Sequence, residues 1–296
     1  MDAFDEILNK LPSDIGGSTA DILIYIDMFD YVAFKEVFGI LKAGLNIVKV
    51  YSKIKYWCCF FFSKPYPVLI YGASGVGKSE FCRSLLEKPI APTDAPRTVL
   101  YQELTLVLED GHKIRLFDLP GHAGFKKNRE KALGKIAKYK SYGIIYVVSY
   151  GYHEVPEGQN LKMFKIAAGS ENDMAVIDTQ YQKDNIKREL EQAKEWRSTI
   201  HLSNRIGWIV TVVNKADIWF EKKDEVMRYY EEEEEYSKEL LGEHSSHPRL
   251  VYPYCSIISP FCKRPMKLTF GERKKIGFHM HLRADLLNMI KDEKKR

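Results

Sequence analysis

No apolar run in this 296-residue chain approaches the roughly 20 residues that a bilayer-spanning helix requires, so a transmembrane helix is not expected. The chain opens Met1-Asp2-Ala3-Phe4-Asp5-Glu6, acidic and without an apolar core, which predicts no secretory signal. Its five cysteines, Cys58, Cys59, Cys82, Cys255 and Cys262, lack metal-ligand spacing. An odd count with one adjacent pair predicts reduced thiols and a cytoplasmic setting. Internal repeats, low-complexity linkers and a second catalytic constellation are missing, and no KH or RRM signature announces a nucleic-acid module. Neither sign of charge dominates. Against 40 acidic residues stand 45 basic ones, a net charge of +5, which permits contact with RNA or anionic lipid and requires neither. The length suffices for one large domain and an appendage.

What is present is concentrated in Gly72-Ala73-Ser74-Gly75-Val76-Gly77-Lys78-Ser79, a full G-x-x-x-x-G-K-[ST] loop. Tyr66-Pro67-Val68-Leu69-Ile70-Tyr71 before it reads as a buried parallel strand. Glu80-Phe81-Cys82-Arg83-Ser84-Leu85-Leu86 after it has helical spacing. In that setting the glycines let backbone N–H groups crowd around phosphates, and the helix N-terminus adds positive potential. Lys78 would reach the β- and γ-phosphates, and the Ser79 hydroxyl would coordinate Mg²⁺. A glycine-rich turn alone would not explain the Lys-Ser pair.

Two later motifs specify the nucleotide. Ile114-Arg115-Leu116-Phe117-Asp118-Leu119-Pro120-Gly121-His122 is a strand ending in D-x-x-G. Asp118 would hold Mg²⁺ through a water, and the Gly121 N–H can meet a γ-phosphate. The signal is weak by itself. Ile209-Val210-Thr211-Val212-Val213-Asn214-Lys215-Ala216-Asp217 is a buried strand ending in N-K-x-D, which is specific. The Asp217 carboxylate can accept from guanine N1–H and the 2-amino group. Adenine offers neither donor, so ATP would leave a desolvated carboxylate unpaired. The Lys215 stem can cover the base, and Asn214 can tie this loop to the phosphate loop.

These motifs, in this order, resemble those of translation-factor-class (TRAFAC) P-loop GTPases, which include Ras-like proteins, bacterial Era-like proteins and translation factors. The resemblance covers about Pro65 to Lys291. Asp118-Leu119-Pro120-Gly121-His122 is similar to the D-x-P-G-H of translation factors and of the signal-recognition-particle receptor β subunit. The resemblance implies a P-loop α/β G domain of three α/β/α layers around a mostly parallel six-stranded sheet. It also implies GTP/GDP and Mg²⁺ as ligands. The first switch should supply a Thr to the cation and the γ-phosphate. Thr98 and Thr93 both qualify, and the distance of Thr98 from Ser79 suits the family better. Cys255-Ser256 stands where the family has a Ser-Ala turn touching the base, a departure that a mainly backbone contact tolerates. His122 occupies the place of the Gln or His that orients the attacking water; its alternative is an ordinary exposed switch residue. Arg97 is a candidate arginine finger or a plain surface charge.

Strands are expected near 67–71, 99–108, 112–118, 143–149, 207–213 and 250–255, and helices near 78–87, 127–138, 183–200, 222–241 and 280–292. Glu109-Asp110-Gly111 reads as a hairpin turn, making 99–108 the antiparallel edge. Residues 150–182, aperiodic and carrying His153, read as an inserted loop: either an effector- or regulator-binding segment or a surface insertion packed on the core. Tyr229, Tyr230 and Tyr236, around the Glu231–Glu235 run, can cover the core.

The domain boundary is expected at 64/65, after an N-terminal helical extension. Within residues 33–62, Lys35, Lys42 and Lys49 lie seven apart on one helix face among apolar residues. That helix either packs on the G domain or a partner, or lies on a membrane surface. The protein is thus expected in the cytoplasm, with peripheral membrane attachment as the second case. Two functions compete: a GTP-hydrolysing switch, and a guanine-nucleotide-binding interaction module with little turnover.

Overall fold

In the computed structural model the described residues are 56, 60, 63–86, 102–121, 126–154, 164–166, 175–199, 205–232, 236, 250–258 and 271–295. The chain divides into two units, Met1–Cys58 and Cys59–Arg296, and the second is described below.

Strand β1 (Tyr66–Tyr71) is buried at every position, as a central parallel strand must be. It is followed by α1 (Lys78–Leu85), β2 (Gln102–Val107), β3 (Lys113–Asp118), α2 (Lys126–Ile136) and β4 (Tyr142–Val148). Then come a short ladder of β5 (Phe164–Ile166) and β6 (Ala175–Ile177), α3 (Thr179–Thr199) and β7 (Ile206–Val213). The chain finishes with α4 (Ala216–Trp219), a 3₁₀ turn, α5 (Lys223–Glu232), β8 (Leu250–Pro253) and α6 (Glu272–Lys295). The main sheet has the order β2-β3-β1-β4-β7-β8, with β2–β3 its antiparallel pair and its other pairs parallel.

Alternation along the strands splits the core into two layers. Leu69, Tyr71, Tyr146 and Val148 face α2, α3 and α5, where Ala132, Ile136, Ala193, Val226 and Tyr230 are buried. Val68, Ile70, Val210 and Val212 face α1 and α6, where Phe81, Leu85, Leu282, Leu286 and Ile290 are buried. Each such aliphatic contributes roughly 1.5–3 kcal/mol by leaving water. The predicted three-layer fold is the observed one.

The predicted hairpin at Glu109-Asp110-Gly111 is present, with Gly111 N–H donating to Leu108 O at 2.9 Å. Buried Arg283 on α6 grips it: Nη2 donates to Val107 O (3.1 Å), Nε to Glu109 (2.7 Å) and Nη1 to Leu85 O at the end of α1 (3.0 Å). Tyr230 and Tyr236 are buried and Tyr229 packs beside them, so this expectation holds.

Several elements differ from expectation, among them the last helix, expected near 280–292, which spans Glu272–Lys295. The long helix starts at Thr179 rather than 183, because Asp178 Oδ1 accepts from Gln180 N–H (2.9 Å) and Tyr181 N–H (3.1 Å) in the manner of an N-cap. The span read as aperiodic holds the β5–β6 ladder. A short helix that was not expected, α4, follows the Asn214-Lys215 pair directly, while the helix expected from 222 begins at Lys223. Among the described residues no helix is long and apolar enough to cross a membrane.

Candidate nucleotide-binding site

Parallel pairing sets the site. Residue Ile70 of β1 is in register with Asp118 of β3, and Leu119 N–H donates to Ile70 O at 3.2 Å. The ends of β1, β3, β4, β7 and β8 therefore meet along one edge of the sheet, where ligands of open α/β sheets bind.

At this edge the phosphate loop turns from β1 into α1. Its helix begins at Gly77 (φ 86°) with no side-chain cap, leaving the first N–H groups directed toward the loop. Lys78 is buried and folds back over the loop, donating to Gly72 O (3.0 Å) and Ala73 O (2.9 Å). Burial lowers its pKa, opposed by the nearby Asp118 charge. Gly121 lies against the same loop: a Cβ there would sit 2.8 Å from Gly72 O and Ser74 N and would overlap Lys78 Nζ. Only glycine permits that approach.

Ser79 and Asp118 come together, Oγ donating to Oδ2 at 2.9 Å. Asp118 is fully buried, and its Oδ1 has no hydrogen-bond partner among the described residues. Burial pushes its pKa up to about 6, although Lys78 and the Ser79 hydroxyl oppose the shift. A desolvated carboxylate with one oxygen unpartnered, beside a hydroxyl, is a donor set suited to a hard divalent cation.

The residues expected at the base come from two loops. Asn214 is buried and fully used: Nδ2 donates to Val76 O (3.0 Å), while Oδ1 accepts from Ser256 N–H (3.0 Å) and Ser256 Oγ (2.9 Å). It thus ties the phosphate loop to the turn after β8. Lys215, in the left-handed region at φ 61°, donates to Gly75 O at 3.0 Å, which lays its stem across the cleft. Asp217 is buried, and the Cys255 thiol donates to its Oδ1 at 3.4 Å. Burial first, then the Asp217 charge, push the Cys255 thiol well above its ordinary range, so it stays protonated and able to donate. The Cys255 side chain thus joins the turn after β8 to Asp217.

The structure brings together the loop Gly72, Ala73, Ser74, Gly75, Val76, Gly77, Lys78 and Ser79 with Asp118, Gly121, Asn214, Lys215, Asp217, Cys255 and Ser256. His122 and Thr98, with Thr93 and Arg97, lie outside the described residues. Sequence reasoning missed Glu154, whose N–H donates to Gly75 O at 3.0 Å. The available signal was topological: Glu154 follows β4, whose end shares the edge with the phosphate loop.

Residues 67–215, half of the chain, match the family described as 50S ribosome-binding GTPase. The chain belongs to this GTPase family. It is a GTP-binding G domain of the translation-factor class. A solved structure described as that of the mammalian SRP receptor resembles it at 16% identity with a TM-score of 0.39, covering 64% of this chain and 91% of that one. No curated protein matches the chain. The match of this GTPase family takes in the phosphate loop, D-x-x-G and the Asn214-Lys215 pair, and stops before Asp217 and Cys255.

Proposed function

We propose that this G domain hydrolyses GTP to GDP and phosphate in a Mg²⁺-dependent reaction and works as a conformational switch. The observation that carries the reading is the pair at the end of β3 and the start of α1: buried Asp118, whose Oδ1 has no hydrogen-bond partner among the described residues, bonded through Oδ2 to half-buried Ser79. That pair fits a cation better than it fits an empty core. When bound, Mg²⁺ would neutralise charge growing on the β- and γ-phosphate oxygens. Ser79, Asp118 and, from the first switch, Thr98 would hold it.

Lys78 positions the β- and γ-phosphates, and the Gly121 N–H meets the γ-phosphate. His122 orients a water for in-line attack on the γ-phosphorus. The bond from phosphorus to the β–γ bridging oxygen breaks, and the water's proton leaves with inorganic phosphate. Positioning and charge stabilisation account for most of such catalysis. Unaided turnover should be slow, on the order of 10⁻⁴ to 10⁻² s⁻¹. Asp217 selects guanine, with Lys215 over the base and Cys255-Ser256 behind it.

Single-turnover phosphate release from preloaded GTP, with and without Mg²⁺, tests the reading. Release that depends on Mg²⁺ and is mostly lost in His122→Ala, with nucleotide affinity kept, is expected. Background release in both conditions would instead identify an interaction module organised by nucleotide. We further propose a protein effector or regulator that reads the nucleotide state, and a cytoplasmic location in keeping with reduced cysteines. For residues 33–62 we propose a membrane surface or a packing partner as the contact. Equal recovery of the full chain and of a chain lacking 1–62 with vesicles would remove the membrane.

A further inference from the structure

The chain just after β4 makes an unusual turn. Tyr150 (φ 50°) and Gly151 (φ 78°) are both left-handed, and a tyrosine adopts that conformation only when its surroundings hold it there. Three side chains hold the backbone of this turn. Tyr150 N–H donates to Tyr230 OH (3.0 Å), and Gln182 Nε2 donates to Tyr150 O (3.0 Å). Asn185 Nδ2 donates to Gly151 O (3.0 Å). At the centre is Glu189 of α3, 1% exposed. Its Oε1 accepts from Ser149 N–H (3.0 Å), Gly151 N–H (3.3 Å) and His153 Nε2 (2.8 Å), while Oε2 accepts from Tyr230 OH (2.5 Å). His153 is itself buried, which lowers its pKa and favours the neutral ring; since the Glu189 carboxylate accepts, Nε2 is the nitrogen that carries the proton.

The residue this turn delivers is Glu154. Its N–H donates to Gly75 O (3.0 Å), its backbone occupies the space a Cβ on Gly75 would need, and its carboxylate lies 3.5 Å from Lys215 Nζ. Gly75 O thus accepts from both Glu154 N–H and Lys215 Nζ. In a trans peptide the C=O and the next N–H point to opposite sides. Two donors fixing the Gly75 carbonyl therefore also fix the Val76 N–H, one of the groups that cradle phosphates.

We propose that Tyr150–Glu154 is a wall of the nucleotide site, and that His153 is a positioning residue that keeps bound nucleotide in place through Glu189, Glu154 and the Gly75–Val76 peptide. The proposal rests on the guanine-nucleotide reading. It assigns the first residues after β4 to nucleotide retention.

The test uses the full chain loaded with a fluorescent GDP analogue in Mg²⁺ and chased with unlabelled GDP. His153→Leu, which cannot donate to Glu189, should release the analogue at least tenfold faster than wild type. His153→Gln keeps an N–H donor of similar reach and should restore release to within about threefold. The effect on release should exceed the effect on single-turnover phosphate release at least fivefold, which general loosening of the fold would not produce. Glu154→Pro deletes the N–H donor while leaving the buried His153–Glu189 pair intact, and should also release at least tenfold faster; it serves if His153→Leu fails to fold. Wild-type release from folded His153→Leu or from Glu154→Pro overturns the proposal, as does a Gln variant as leaky as the Leu one. A wild-type chain that holds no GDP defeats the guanine reading itself, and the proposal with it.

Discussion

At the residue scale, Asp118 is the group whose burial is hardest to explain without a ligand. Its ordinary pKa of 3.8 is pushed up to about 6 by burial, so ionisation in the folded protein is disfavoured until a cation compensates. On the proposed function, cation and proton compete for the same carboxylate. The ionised form that Mg²⁺ needs is dominant above about pH 6 and is lost as pH falls through that value. The tightening of GDP binding by Mg²⁺ should therefore be large at about pH 7.5 and shrink markedly at about pH 5.5, measured as paired dissociation constants with Mg²⁺ and with chelator. An equal gain at both pH values would remove Asp118 from the cation site.

Asp217 makes a second prediction. In Asp217→Asn the amide oxygen can keep the Cys255 thiol bond at Oδ1, while the amide N–H₂ replaces the carboxylate oxygen proposed to accept from guanine. GTP affinity should fall by roughly two orders of magnitude and xanthosine triphosphate should gain, since its 2-oxo group accepts from an amide. Competition binding measures both, and unchanged GTP affinity would refute the base contact. These residues were legible in the sequence because each sits in a short motif at a strand end. His153, Glu189 and Glu154 were not. The hydrogen bond joining His153 to Glu189 spans 36 positions, and nothing in either local pattern marks the pair.

At the element scale, α6 acts as a strap across one face of the sheet. Arg283 is 8% exposed and satisfies carbonyls at the end of α1 and of β2 while pairing with Glu109. Lys291 adds an ion pair to Asp110 at 3.0 Å. Arg283→Ala would leave Leu85 O and Val107 O without this donor and Glu109 without its partner. The expected loss is about 3 kcal/mol of stability, read from a urea midpoint, with GDP affinity of the folded protein little changed. A loss below about 0.5 kcal/mol, as at an ordinary surface site, would contradict the strap. The strands were readable because a fully buried parallel strand such as β1 is a continuous apolar run. The start of α3 was not. Asp178 caps a helix whose first turn, Thr179-Gln180-Tyr181-Gln182, is polar and carries no apolar stripe, so the helical pattern becomes visible only from Lys183 onward.

At the scale of the whole molecule, the two core layers draw on residues from Tyr66 to Ile290. The central strand β1 has neighbours on both sides within that span, and the motif residues hang from the same sheet. A unit with its own core and its own binding residues should fold alone. A chain of residues 59–296 should therefore unfold cooperatively and bind GDP within about threefold of the full chain. Thermal unfolding and a GDP titration on both proteins check this. Cooperative unfolding with GDP binding lost would mean that residues 1–58 contribute to the site, and the phosphate loop would then have to be read as one part of a larger ligand-binding surface.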